Sequence, residues 1–159
     1  MTLVVYVGGA RSGKSRLAVE RAASSGAPVV FVATGEARDD EMAERIAHHK
    51  GERPAGWETV EEPLELTRAL REAPIEATVV VDCLSLWVAN GGGDPAAFEA
   101  ASSRSALTIA VTNEVGLGIV PDNALARAYR DDLGRVNAAW VAAADEAYFV
   151  VAGKTLRLT

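Results

Sequence analysis

A single cysteine, Cys83, stands in the sequence, so no internal disulfide can form. With no C-x-x-C pair and no Cys/His cluster there is no zinc site to build either. Basic residues are outnumbered, 16 Lys and Arg against 22 Asp and Glu, for a formal net charge of -6. A nucleic-acid partner normally needs a basic face, so no nucleic acid is expected among the partners. No apolar run approaches the roughly 18 residues that cross a bilayer, and no basic segment followed by a short apolar stretch marks a secretory leader. Cytoplasmic residence is the expectation. Internal repeats, linkers and low-complexity tracts are missing too, which leaves residues 1–159 as one expected domain.

What is present alternates between two periods. Leu3 to Val7, Val29 to Ala33, Thr78 to Asp82 and Leu107 to Thr112 are short continuous apolar runs of the kind buried parallel strands require. Helical segments follow them: from about Gly13 to Ser24, from Asp39 to the break at Gly51, from Pro63 to Glu72, and from Leu84 to Ala89. The glycines and proline of Gly91 to Pro95 interrupt the chain before a short return to Ser102. A long helix capped by Asp122 or Asn123 carries Leu125, Tyr129, Leu133, Val136 and Trp140 at spacings of four, four, three and four, as an inward stripe. Trp57 to Val60 reads as an edge strand, and Ala147 to Val151 with Thr155 to Leu158 as a closing hairpin about Gly153. Alternating strands and helices predict an α/β fold: a mostly parallel sheet covered on both faces, with ligands at the C-terminal strand ends.

The first strand runs into Gly8-Gly9-Ala10-Arg11-Ser12-Gly13-Lys14-Ser15, which fits G-x-x-x-x-G-K-[ST] between a strand and a helix. The glycines let successive backbone N–H groups curl inward onto phosphate oxygens, and the helix that follows presents its positive end to the same anion. Lys14 is placed to reach the β- and γ-phosphates, and the Ser15 hydroxyl to hold Mg²⁺. Asp82, an acid closing an apolar strand, fits the magnesium side of such a site. A plainer reading makes Asp82 the cap of the helix beginning at Leu84, and the two roles are compatible.

The two histidines are adjacent, and helical periodicity separates them. Met42, Ile46 and His49 fall at i, i+4 and i+7 on the apolar face, whereas His48 shares its face with Glu41 and Arg45. His49 is thereby predicted to point at the protein body and His48 at solvent. An imidazole beside a triphosphate acts as base, ligand or nucleophile. From the residues alone, a half-buried histidine bonded to backbone is the plainer reading.

These residues sit in longer strings. Asp40-Glu41-Met42 leads to Arg45-Ile46-x-x-His49 and Arg53-Pro54; Trp57-x-Thr59-Val60-Glu61 and Asp82-Cys83-Leu84 follow. Then come Thr112-Asn113-Glu114-Val115-Gly116-Leu117-Gly118-Ile119-Val120-Pro121 and Arg127-x-Tyr129-Arg130-Asp131-x-x-Gly134-Arg135-x-Asn137. Across nearly the whole chain the set resembles the bifunctional adenosylcobinamide kinase/adenosylcobinamide-phosphate guanylyltransferase family of cobalamin biosynthesis.

The resemblance implies a P-loop, RecA-like three-layer sandwich and a homotrimer. It implies phosphorylation of the terminal hydroxyl of adenosylcobinamide by a nucleoside triphosphate, ATP or GTP. Transfer of GMP from GTP to that phosphate follows, through a guanylylated histidine that corresponds to His49. The corrinoid and the nucleotide are then the small-molecule partners, with Mg²⁺ beside them. Nucleotide contacts are implied along Gly8 to Ser15, at Ala33, Thr34 and Gly35, at Lys50, Gly51, Glu52 and Arg53, and at Glu61 and Asp82. Trp57 and Trp87 are read as possible assembly surface, near a subunit boundary that includes the histidine helix. The segment between Asp82 and Thr112 is shorter than the family pattern, with its glycine break in place of a fuller helical excursion. Arg130, Arg135 and Asn137 are open between phosphate contact and a solvated helix face. Two other functions stay in view: a single-reaction kinase on the same fold, and a nucleotide-dependent switch.

Overall fold

The structure is a computed structural model, and it describes residues 2–159. Seven strands form one sheet in the order β3-β2-β4-β5-β1-β6-β7. The strands are β1 (Thr2–Gly8), β2 (Val29–Ala33), β3 (Glu58–Glu61), β4 (Thr78–Asp82), β5 (Leu107–Asn113), β6 (Glu146–Val151) and β7 (Lys154–Arg157). All neighbours run parallel except β7, which returns antiparallel on β6 through a turn at Ala152 and Gly153. Among the described residues, no helix is long and apolar enough to cross a membrane.

Side-chain alternation along the strands feeds two cores. Leu3, Val5, Val7, Val79, Val81 and Ala110 pack on one face against Leu66 and Leu70 of α3 (Leu66–Glu72), Trp87 of α4 (Leu84–Ala89), and Leu133 and Trp140 of α6 (Ala124–Ala143). Val4, Tyr6, Phe31, Val80, Ile109 and Val111 face the other way, onto Ala18 and Ala22 of α1 (Lys14–Ala23). Each fully buried Val or Leu contributes about 1.5–3 kcal/mol, so this alternation on both faces is what fixes register and layer order.

The predicted breaks have physical counterparts. Asn123, of the two cap candidates, accepts from Ala126 N at 2.7 Å, and Asp39 accepts from Met42 N at 2.7 Å to start α2 (Asp40–Gly51). Between α4 and α5 (Ala96–Ser103) the glycine run is a packing feature: a Cβ on Gly92 would lie 2.2 Å from Trp87 Nε1. That tryptophan is 1% exposed and donates to Leu64 O at 2.7 Å, so the expectation that it offers assembly surface is wrong. Leu125 also departs from expectation. It is 82% exposed because α6 begins beyond the edge of the core, and the inward stripe starts at Tyr129.

Candidate nucleotide site

The phosphate loop lies where β1 ends, and its shape is enforced from behind. A Cβ on Gly8 would sit 2.3 Å from the Val150 carbonyl of β6, so only glycine lets the loop leave the strand so close to its neighbour. Arg11 (φ 54) and Gly13 (φ 102) take left-handed conformations that curl the loop before α1 begins. The β6–β7 turn closes over it, with Gly153 N donating to Ser12 O at 2.8 Å. Lys14 is buried and folded back: its ammonium donates to Gly9 O at 2.6 Å and Ser12 Oγ at 3.4 Å. Burial pulls its pKa below the usual lysine value, against the opposing pull of Cys83 and Asp82. A bound anion would give this ammonium a better partner than a loop carbonyl.

Beside the loop a cleft of about 300 Å³ is lined by Ser15, Val19, Phe31, His49, Arg53 and Asp82, with Arg16 and Glu52 at its rim. Four elements supply these residues, together with the turn after α2 that carries Glu52 and Arg53. Ser15 and Val19 come from α1, Phe31 from β2, His49 from the last turn of α2, and Asp82 from the C-terminal end of β4. Residues far apart in the chain, from the phosphate loop, Arg-Ile-x-x-His and Asp82-Cys83, thus meet on one cavity.

Asp82 lies at the inner end of that cavity. The residue that starts α4 is Cys83, with no side-chain cap, so the capping reading of Asp82 is not what the chain adopts. Burial pushes the Asp82 carboxyl above its ordinary pKa, while His49, Arg53, Lys14 and the Ser15 hydroxyl all pull it back toward the charged form. Arg53 is held flat, its guanidinium carbon 3.8 Å from the Phe31 ring centroid and Nη1 donating to Thr59 Oγ1 at 3.0 Å. Its Nε is buried without a hydrogen-bond partner, and desolvation lowers its pKa. An unpaired buried donor beside a half-buried acid marks a place built for a charged ligand.

The histidines separate as the periodicity predicts, with one correction. His48 has 72% of its side chain exposed and His49 has 49%, so His49 is the more enclosed but sits at the cleft mouth and not in the body of the protein. The reason is that α2 buries no residue fully; only Met42 and Ile46 are half-buried beneath it. Glu52 stands between the imidazoles, 3.4 Å from His49 Nδ1 and 3.5 Å from His48 Nδ1.

Other expected contacts are placed differently. Thr34 is wholly buried and clamps the backbone after Asp82: its hydroxyl donates to Cys83 O at 2.7 Å and accepts from Cys83 N at 2.9 Å. Ala33 is buried in the α1-side core, and Gly35 backs onto Leu86 and Ile46, so none of the three lines the cleft. Lys50 and Glu61 pair at 2.7 Å on the exposed side of α2, which holds the Glu61 carboxyl below its ordinary value; Gly51 is exposed beside them. Asn137, from α6, neither touches the loop nor meets solvent: it accepts from Thr112 Oγ1 at 2.6 Å and donates to Asn113 O at 3.0 Å. Val19, Phe31 and Glu52's bridging position were not legible as site features, since an apolar residue on a strand or helix reads as core whether or not it edges a cavity.

Comparisons with known proteins agree with this geometry. Residues 3–158 match the family described as cobinamide kinase / cobinamide phosphate guanyltransferase. The bifunctional adenosylcobalamin biosynthesis protein CobP of Pseudomonas aeruginosa is 43% identical, over 97% of this chain and 95% of its own. The corresponding CobU proteins are 40% identical in Salmonella typhimurium and 37% in Escherichia coli, each over 95% of this chain and 96% of its own. The Salmonella alignment runs over 176 positions, more than this chain's 159 residues, so that relative carries insertions. In fold, the chain is similar to the flagellar accessory protein FlaH of Methanocaldococcus jannaschii, with a TM-score of 0.57 at 12% identity, over 99% of this chain and 78% of that one. The chain belongs to the cobinamide kinase / cobinamide phosphate guanyltransferase family.

Proposed function

We propose that this chain is a single catalytic domain that phosphorylates the terminal hydroxyl of adenosylcobinamide with ATP or GTP. It then transfers GMP from GTP to the product, giving adenosylcobinamide-GDP and pyrophosphate. The observation that carries the reading is the convergence of Ser15, His49, Arg53 and Asp82 on one cleft beside the phosphate loop, in a chain of this family.

The chemistry follows from what each group offers. Glu52 lies 3.4 Å from His49 Nδ1, on the far side of the ring from Nε2, and the Nε2 lone pair is the nucleophile that attacks the α-phosphorus of GTP. A P–N bond forms as the bond to the bridging oxygen breaks, and pyrophosphate departs with the electron pair. Lys14, Arg53 and the loop N–H groups stabilise the charge that gathers on it. A phosphate oxygen of the corrinoid then displaces the histidine, so one difficult step becomes two easier ones.

The donor set suits Mg²⁺. Ser15 and Asp82 face one cleft, the carboxylate is ringed by cations, and no group of three acidic, histidine or cysteine ligands exists among the described residues. Magnesium is ordinarily held by one or two protein oxygens with phosphates and water. When bound it neutralises charge on the transferring phosphates; Ser15 and Asp82 would hold it. The enzyme is read as a cytoplasmic homotrimer, in keeping with its nucleotide substrates and its exposed apolar loop.

Incubation with GTP labelled at the α-phosphate, without corrinoid, tests the reading. Acid-labile, base-stable GMP is expected on His49. His49→Ala should abolish the label and guanylyl transfer while keeping kinase activity, and His48→Ala should keep both reactions with modest losses. Label mapped to His48, or normal transfer in His49→Ala, would overturn the assignment. A kinase that never labels would favour the single-reaction alternative.

A further inference from the structure

A second groove, about 640 Å³, opens on the opposite side of the sheet's C-terminal edge. It is lined by Glu114 and Gly116 of the loop leaving β5 and by Arg130, Asp131, Gly134, Arg135 and Ala138 on the outer face of α6. The nucleotide chemistry above uses none of these residues.

Its position relative to the phosphate loop is fixed by backbone. Strand β5 lies between β1, which carries the loop, and β4, which carries Asp82. Glu114 is the first residue beyond β5, and its N–H donates to the carbonyl of Gly8, the first residue of the loop, at 3.1 Å. The groove's inner end is thereby tied to the mouth of the phosphate cradle, while His49 approaches from the α1 side. One Glu114 oxygen, Oε1, accepts from Gly116 N at 2.6 Å, which orients the carboxylate; Oε2 accepts no hydrogen bond among the described residues.

Other carboxylates at this edge are committed. Glu36 pairs with Arg38, Glu61 with Lys50, and Glu62 accepts from Leu64 N, Glu65 N and Arg68. Asp82 lies in the nucleotide cleft. Asn113, the neighbouring polar side chain, is turned away and donates to Ser85 Oγ at 2.7 Å. The groove's other carboxylate, Asp131, sits on α6 and is paired with Arg130 at 3.2 Å. Among the described residues, Glu114 joins a carboxylate oxygen without a hydrogen bond to both the phosphate loop and this open groove. The rest of that groove leaves room for a large acceptor: its small side chains are Gly116, Gly134 and Ala138, and its two arginines, Arg130 and Arg135, are paired with Asp131 and Asp132.

We infer that this groove receives the acceptor of the kinase step, and that Glu114 is the catalytic residue that takes the proton from its hydroxyl. The inference rests on the kinase reading above. As the acceptor oxygen attacks the γ-phosphorus, its proton passes to Glu114 Oε2. The bond from γ-phosphorus to the β,γ-bridging oxygen breaks, and the nucleoside diphosphate leaves with that electron pair. The proton passes to solvent once the products depart.

Glu114→Gln keeps an oxygen for the Gly116 N–H but cannot take the proton. It should lower kcat for adenosylcobinamide phosphorylation by about two orders of magnitude or more, with the nucleotide KM little changed. Labelling by α-labelled GTP without corrinoid should persist, since no acceptor hydroxyl takes part in it. Ala138→Trp, which fills the groove, should raise the corrinoid KM at least about tenfold and leave that labelling intact. Glu114→Gln phosphorylating within a few-fold of the parent would overturn the inference. So would simultaneous loss of labelling, which would make Glu114 a support of the phosphate loop. A parent enzyme that labels with GTP but never phosphorylates the corrinoid would instead defeat the kinase reading itself.

Discussion

Lys14 shows how much one side chain can be asked to do. Its ammonium is buried against Gly9 O and Ser12 Oγ, waiting on partners poorer than a triphosphate. Lys14→Ala should therefore lower both kinase and guanylyltransferase rates by about two to three orders of magnitude, measured at saturating nucleotide. Asp82 makes the opposite kind of prediction. Burial raises its pKa, so the folded state carries a cost whenever the carboxylate is ionised. The sign follows from linkage: a raised carboxyl pKa means the fold is favoured below the ordinary aspartate range and loses that advantage as pH rises through the folded value. Asp82→Asn should raise the Tm of the nucleotide-free protein at neutral pH, lose that gain in acid, and lose nucleotide turnover. A Tm at neutral pH equal to or below that of the parent would contradict this account. The lysine and the aspartate were legible because motif and strand context place them locally. Thr34's clamp on Cys83 was not, since it joins residues 49 apart in sequence and depends on β2 pairing with β4.

Elements were read well where one face must be buried and poorly where the element ends in solvent. The central parallel strands announce themselves as apolar runs, whereas β3, Glu-Thr-Val-Glu at the sheet edge, does not; α2 and the start of α6 obey a helical period without a core beneath them, which is why His49 and Leu125 lie further out than expected. One tie between elements was invisible in the sequence. Arg104, only 8% exposed, donates to the carbonyls of Leu70, Ala73, Pro74 and Ala77, joining the residue that ends α5 to the turn after α3. Glu76 is near enough to favour its charge, but no carboxylate bonds to it; its partners are backbone oxygens that any residue supplies. Arg104→Ala would leave those carbonyls desolvated at once. A loss of about 2–4 kcal/mol in urea unfolding is expected, with Arg104→Lys recovering only a fraction because an ammonium cannot span four acceptors. Destabilisation under about 0.5 kcal/mol would show that water replaces the guanidinium.

At the scale of the whole molecule, the remaining question is what covers the loop between β5 and α6. Val115, Leu117, Ile119 and Val120 are 42%, 79%, 98% and 61% exposed, and Leu125 is 82% exposed just beyond them. Such a run of large apolar side chains is costly to leave in water and marks an interaction surface. The Asn-Glu-Val-Gly string was legible as a family signature, but its exposure was not, because an apolar run of this length reads equally as a buried strand. With Trp87 inside the core, this loop and not the tryptophans carries the physical case for self-association. A homotrimer with this loop at or near the subunit boundary should give a light-scattering mass of about three protomers of 16.7 kDa. Placing Asp at both Leu117 and Ile119 should shift that mass toward one protomer, since burying two carboxylates in an apolar contact costs far more than the contact returns. The folded monomer should keep its helical circular dichroism, because neither side chain touches the core. A parent mass near 16.7 kDa at working concentration would refute the assembly, and a trimer unmoved by both substitutions would place its interface elsewhere.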